Sequence, residues 1–219
     1  MDRKLVWSVC LLALALSAMP AMADTLYSNL GSGSTVYNCC SGWTISGTGS
    51  IGTSFTAANE FSPTMSGSVG EIDVAVGFVE GANSFYVALY TNNNGIPGSQ
   101  LGEWGGLSSS TTFGSCCGLV DITGISGLNI TAGTDYWLVI GPTSTTSTTW
   151  EAWNFSNSAT GNDDYSTNGG TSWVQQGNQA QGAFQIISGT STTPEPTSLL
   201  LFGTGVLGVI GAFRRKMKL

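Results

Sequence analysis

The sequence has no histidine, and no lysine or arginine between Leu5 and Phe213. Its cations are Arg3 and Lys4 at one end and Arg214, Arg215, Lys216 and Lys218 at the other; of its 13 acids, only Asp2 lies outside the stretch they bracket. Each absence removes a chemistry. Without imidazole or amine, the central stretch cannot run a Ser-His-Asp or Cys-His mechanism, form a lysine Schiff base or ligate a metal through histidine. Without cations it cannot displace the counterions of a phosphate backbone, so nucleic acid is excluded as a partner. Side-chain salt bridges are excluded too. The acids must be solvated, hydrogen-bonded or neutralised by external cations, and their excess favours solubility. With 9% charged and 41% hydrophobic residues, stability must rest on apolar burial, β ladders and disulfides. No repeat of fixed period appears, which argues against a solenoid or propeller.

The two ends read as addresses. Met1-Asp2-Arg3-Lys4 precedes the apolar run from Leu5 to Leu16, and Ala21-Met22-Ala23 supplies an Ala-x-Ala site. This is the layout of a secretory signal peptide over residues 1–23, cut by signal peptidase after Ala23 to leave Asp24 as the mature start. An uncleaved anchor is the alternative, disfavoured by the short apolar run. At the other end, residues 190–198 form a Ser/Thr/Pro linker containing Pro194-Glu195-Pro196. Residues 199–213 form one apolar segment, and 214–219 a basic tail. Fifteen residues of helix span ~22 Å against a hydrocarbon core of ~30 Å, so the segment is a short membrane helix. The basic cluster stays cytoplasmic under the positive-inside rule, which places the body outside.

Residues 24–189 are rich in Gly, Ser, Thr and Asn, with short apolar or alternating runs between turn clusters and no sustained helical period. The pattern predicts an all-β, jelly-roll-like antiparallel β-sandwich. Expected strands are Leu26-Tyr27 at an edge, Ser50 to Ala57, Glu71 to Val76, Ser84 to Thr91, Gln100 to Trp104, Tyr136 to Ile140, Trp150 to Phe155 and Ala183 to Ile187. Asn94-Gly95 supplies the positive φ of a tight turn. Tyr136-Trp137-Leu138-Val139-Ile140 lacks alternation and should be covered on both faces.

Four cysteines remain after cleavage, as the pairs Cys39-Cys40 and Cys116-Cys117. In an exported chain they should form disulfides, and bridges between the two pairs are favoured. Adjacent strand residues point to opposite faces, so two such bridges need a loop or bulge at each pair. A four-thiolate metal site and a vicinal disulfide are the alternatives. Among the acids, Glu71 and Asp73 share a strand face, and Glu151 lies between Trp150 and Trp153; a sugar ring stacked on Trp beside a carboxylate makes Trp150, Glu151 and Trp153 the sketch of a carbohydrate site. The plainer reading makes the acids a solvated face and the tryptophans core. Asn162-Asp163-Asp164 should be an Asx turn, lacking the spaced ligands of a calcium loop. No metal and no cofactor is expected.

The Pro194-Glu195-Pro196 triplet, the Gly-containing apolar segment and the Arg214-Arg215-Lys216 cluster, in that order, resemble the PEP-CTERM protein-sorting signal. That family occurs on exported proteins of Gram-negative bacteria that make extracellular polysaccharide, and its tail is handled by the membrane protease-transpeptidase exosortase. The resemblance implies transient anchoring in the inner membrane through the C-terminal helix, then delivery to the envelope, cell surface or extracellular matrix. The order of strands, with an early Ser54-Phe55-Thr56, then Val87 to Thr91, Gly95-Ile96-Pro97-Gly98 and Leu101, Thr134 to Val139 and Phe184-Gln185-Ile186, is similar to choice-of-anchor surface domains. These imply a surface module without a defined activity. The expectation is therefore a structural or adhesive protein, not an enzyme. A carbohydrate-binding module for envelope glycan or exopolysaccharide is the alternative, and a carboxylate-based glycan-cleaving enzyme a more distant one.

Overall fold

A computed structural model describes residues 23–32 and 36–189. The sorting residues, the apolar segment, the basic tail and the signal peptide up to Met22 lie outside the described residues. Two β-sheets pack face to face. The smaller runs in the order β1 (Thr25–Ser28), β14 (Phe184–Ser188), β4 (Gly67–Val74) and β10 (Asn129–Ile130), with β9 (Val120–Thr123) also paired to β4. The larger runs β7 (Pro97–Leu107), β6 (Phe85–Asn92), β11 (Tyr136–Pro142), β3 (Thr56–Phe61), β12 (Trp150–Ser166), β5 (Val76–Glu80) and β8 (Thr111–Thr112). Strands β2 (Asn38–Ser46) and β13 (Val174–Gly182) also pair with β12. Every pairing is antiparallel except β5 with β8, which is parallel.

The period-2 rule explains the layers. On β4, Ile72 and Val74 enter the core, which they share with Phe184 and Ile186 of β14 and with Leu138, Ile140 and Val87 of the larger sheet. On β11, Tyr136, Leu138 and Ile140 face that core, while Trp137 and Val139 turn to the outer side. There they pack with Ala58 and Ala88 under Tyr86, Tyr90 and Trp173. This strand is thus covered on both faces, as its unbroken apolar run predicts. Between β6 and β7, Asn94 and Gly95 both take positive φ, 54° and 83°. The hairpin turn that follows is closed by the Asn93 amide on the Ile96 carbonyl.

Three predicted elements are revised. Residues 50–55 are not strand: Thr48–Ile51 is a single helical turn, α1, ended by Gly52 in the left-handed region at φ 80°, and β3 starts only at Thr56. Asn162-Asp163-Asp164 is no turn but part of the long β12, paired to β13 and, at Asp163 and Asp164, to β3. The predicted strand from Glu71 to Val76 splits, with Ala75 between β4 and β5.

Strand β12 changes neighbours along its length. Its first part pairs with β5 and β2, and its second part with β3 and β13. Trp153 sits where the neighbours change, 0% exposed, with its indole N–H donating to the Ala183 carbonyl at 3.1 Å. Room for it comes from Gly182, where a Cβ would fall 2.3 Å from the indole.

Candidate functional site

The site predicted around Trp150, Glu151 and Trp153 does not form an open platform. Glu151 and Trp153 are both 0% exposed, and only Trp150 is partly open to solvent. Trp153 is core, its ring 5.8 Å from that of Phe184. Glu151 lies between Phe78 of β5 and Ile45 of β2 in the ladder, and neither carboxylate oxygen has a hydrogen-bond partner. Burial pushes its pKa up to about 8, opposed only by the Ser84 backbone amide, which itself donates to Ala82. A carboxyl sealed from solvent in this way does not face a glycan. The expectation that each acid of the body is solvated, hydrogen-bonded or neutralised by a cation is not met at Glu151, which its apolar cross-strand neighbours bury without a hydrogen-bond partner.

Asp163 and Asp164 are buried as well. Asp163 Oδ1 accepts from Asn59 Nδ2, and Asn59 Oδ1 accepts the Gly182 amide at 2.6 Å. Burial, then the charge of Asp164, holds Asp163 up to about 8; burial, then Glu60, holds Asp164 up to about 7. Glu60 is tied down at both oxygens by Asn92 Nδ2 at 2.8 Å and Asn162 Nδ2 at 2.6 Å. These amides do the work that lysine and arginine do elsewhere, supplying donors without charge. The cluster is a strand-to-strand brace.

One bridge joins the two cysteine pairs. Cys39 and Cys116 form a disulfide with Cα atoms 5.5 Å apart. The ladder between β2 and β12 jumps from Gly42 opposite Asn154 to Asn38 opposite Phe155, so Cys39, Cys40 and Ser41 form the bulge that the sequence requires. A second bridge does not form there: Cys40 is exposed with its thiol unbridged, because successive residues diverge. The Cys117 sulfur lies within 4.8 Å of both bridge sulfurs.

A concavity of about 440 Å³ opens instead between β2 and β13, over β12. Trp43, Phe55 and Tyr165 line it, Ala57 contributes apolar surface, and Thr44 and Gln176 supply polar groups. All three rings are partly solvent-accessible, and Gln176 is exposed. The rings are held by packing: Trp43 meets Phe155 edge-on at 5.3 Å and donates its indole N–H to the Ala180 carbonyl at 2.9 Å. Phe55 lies 5.9 Å from Tyr165. Sequence reasoning missed this groove because its aromatics stand far apart in the chain. The one local signal was Trp43 next to a glycine in a stretch of small residues.

Three-ring concavities with a polar rim are suited to ligands that present an apolar face and peripheral hydroxyls. Comparison with known proteins adds information only outside the body. No curated protein and no solved structure matches the chain. Residues 192–216 match the family model of the PEP-CTERM protein-sorting motif, a span that contains Pro194, Glu195, Pro196, Arg214, Arg215 and Lys216. The chain is thus an exported protein bearing a PEP-CTERM sorting motif, directed to exosortase.

Proposed function

We propose that the body is a non-catalytic adhesive module of the envelope or extracellular matrix, which holds a neutral glycan of the exopolysaccharide in the groove of Trp43, Phe55 and Tyr165. The observation that carries this reading is the gathering of three partly exposed rings in one concavity. A pyranose ring has one face of C–H groups, which rests on the electron-rich face of an aromatic ring, while its equatorial hydroxyls reach groups such as Thr44 and Gln176 at the rim. Neutral glycans fit better than anionic ones. The groove has no cation to pair with a uronate or sulfate, and the whole body is acidic. Single sites of this kind bind weakly, but many copies displayed on one surface gain avidity along a repeating polymer. Adhesion without turnover also fits the chemistry: there is no imidazole or side-chain amine in the body, and Glu151 is sealed from solvent.

Electrophoresis of the full chain in gels containing neutral glucans, mannans or galactans tests the reading, with alginate as the anionic comparison. Retardation is expected in at least one neutral gel and not in alginate. Phe55→Ala should weaken it ~10-fold, the loss of roughly one stacked ring, while the melting temperature changes little. No retardation in any neutral gel, or equal retardation of Phe55→Ala, would sink the proposal.

A further inference from the structure

On the outer face of the smaller sheet, Glu71 and Asp73 stand two apart on β4 and therefore point the same way. Asp121 of β9 is directly opposite Asp73, and Gln185 of β14 is opposite it on the other side. One carboxylate oxygen from each of Glu71, Asp73 and Asp121 lies within 4.8 Å of the others. Like charges facing each other across a ladder repel, and the body has no lysine, arginine or histidine to offset them. Asp73 is the telling member. Only 3% exposed, it uses Oδ2 to accept Gln185 Nε2 at 2.6 Å, while its buried Oδ1 has no hydrogen-bond partner. A buried anionic oxygen left without a donor is costly, and strands keep such an arrangement when something else satisfies it.

We infer that Glu71, Asp73 and Asp121 form a calcium site on this sheet face. Calcium takes oxygen ligands at about 2.3–2.6 Å, so two ligands on opposite sides of one ion stand about 5 Å apart, and oxygens within 4.8 Å of one another can share it. Magnesium, at about 2.0–2.1 Å, needs a tighter set. Glu71 is half-buried and Asp121 exposed, so the cluster is open to an ion on the solvent side, and water can complete the shell. The ion would clamp β4 to β9 from outside, where no salt bridge can do so. This site is on the smaller sheet and does not depend on the aromatic groove of the larger one.

The test is calorimetric titration of the full chain, purified in detergent and stripped with a chelator, with calcium chloride alone. One ion per chain should bind with a dissociation constant of about 10⁻⁴–10⁻³ M, the range of extracellular calcium modules. Asp121→Asn and Glu71→Gln change partly or fully exposed side chains and should keep the native circular dichroism. Each should weaken binding ~10-fold or more, because affinity follows the charge of the ligand set. Glu103→Gln, on β7 of the other sheet, should bind as the parent does. No calcium heat up to millimolar concentration, or unchanged affinity in both Asp121→Asn and Glu71→Gln, overturns the inference.

Discussion

Replacing Glu151 with glutamine should flatten the pH dependence of stability, and the size of the effect follows from where the side chain sits. Glu151 is fully buried between Ile45 and Phe78, without a donor to either oxygen, and burial raises its pKa from 4.5 to about 8. An acid whose pKa is higher in the folded state binds its proton more tightly there than in the unfolded chain. Its contribution is therefore most favourable below about pH 4.5. It is lost as pH rises towards 8, since the unfolded chain ionises freely while the native carboxyl stays neutral. Between pH 5 and pH 8 this linkage amounts to about 3 kcal/mol, at 1.36 kcal/mol per unit. Asp163 and Asp164, held up to about 8 and 7, impose the same sign and remain in both proteins. Glutamine brings an unsatisfied amide at every pH, so the absolute stability of the variant is not the readout. The difference in slope is. Urea unfolding curves at half-unit steps from pH 5 to pH 8 should converge by about 3 kcal/mol, the parent losing stability faster. Curves that stay parallel would refute the argument and mean that Glu151 is ionised or hydrated in the native protein.

Two further changes probe the scaffold. Cys39→Ser opens a disulfide spanning 77 residues and should cost roughly 4 kcal/mol by the chain-entropy argument, measured by urea unfolding under non-reducing conditions; an unchanged midpoint would mean that the bridge does not constrain the chain. Gly182→Ala drives a methyl to 2.3 Å from the Trp153 indole and should destabilise by about 2 kcal/mol, whereas Gly105→Ala meets nothing within 4 Å and should stay within about 0.5 kcal/mol. Thermal unfolding separates the two, and equal melting temperatures would contradict the close approach.

The sequence carried the fold wherever apolar side chains alternate or run together. Tyr136 to Ile140 and, apart from their first residues, Ser84 to Thr91 and Ala183 to Ile187 lie on strands whose inner positions are core, and Leu26-Tyr27 does pair at a sheet edge. It was silent where strands are held by backbone ladders and amides instead. β13 reads Val-Gln-Gln-Gly-Asn-Gln-Ala-Gln-Gly and is exposed along most of its length, so no period marks it. The second half of β12 looks like a turn because Asn162, Asp163 and Asp164 favour turns in isolation; tertiary pairing with β3 and β13 overrides that preference. Candidate sites followed the same division. Glu71 and Asp73 were legible as one face by alternation, but Asp121 joins them only through the ladder between β4 and β9. Trp153 and Glu151 looked like a sugar site because neighbours in sequence suggest neighbours in function, yet alternate positions on this strand point into the core. The groove residues Trp43, Phe55 and Tyr165 come from three separate stretches, and only the pairing of β2 and β3 with β12 and the bridge of Phe55 to Ser46 gather them.

The central claim is that the cationic ends route an acidic body out of the cell. Intact-mass spectrometry of the protein recovered from its native cells, beside a strain lacking Pro194 to Pro196, tests this most directly. The account predicts a surface or medium species that begins at Asp24 and lacks the Arg214–Leu219 tail, with the tail retained in membrane-bound protein when the three residues are deleted. A full-length chain from Met1 to Leu219, found in the cytosol of both strains, would contradict it.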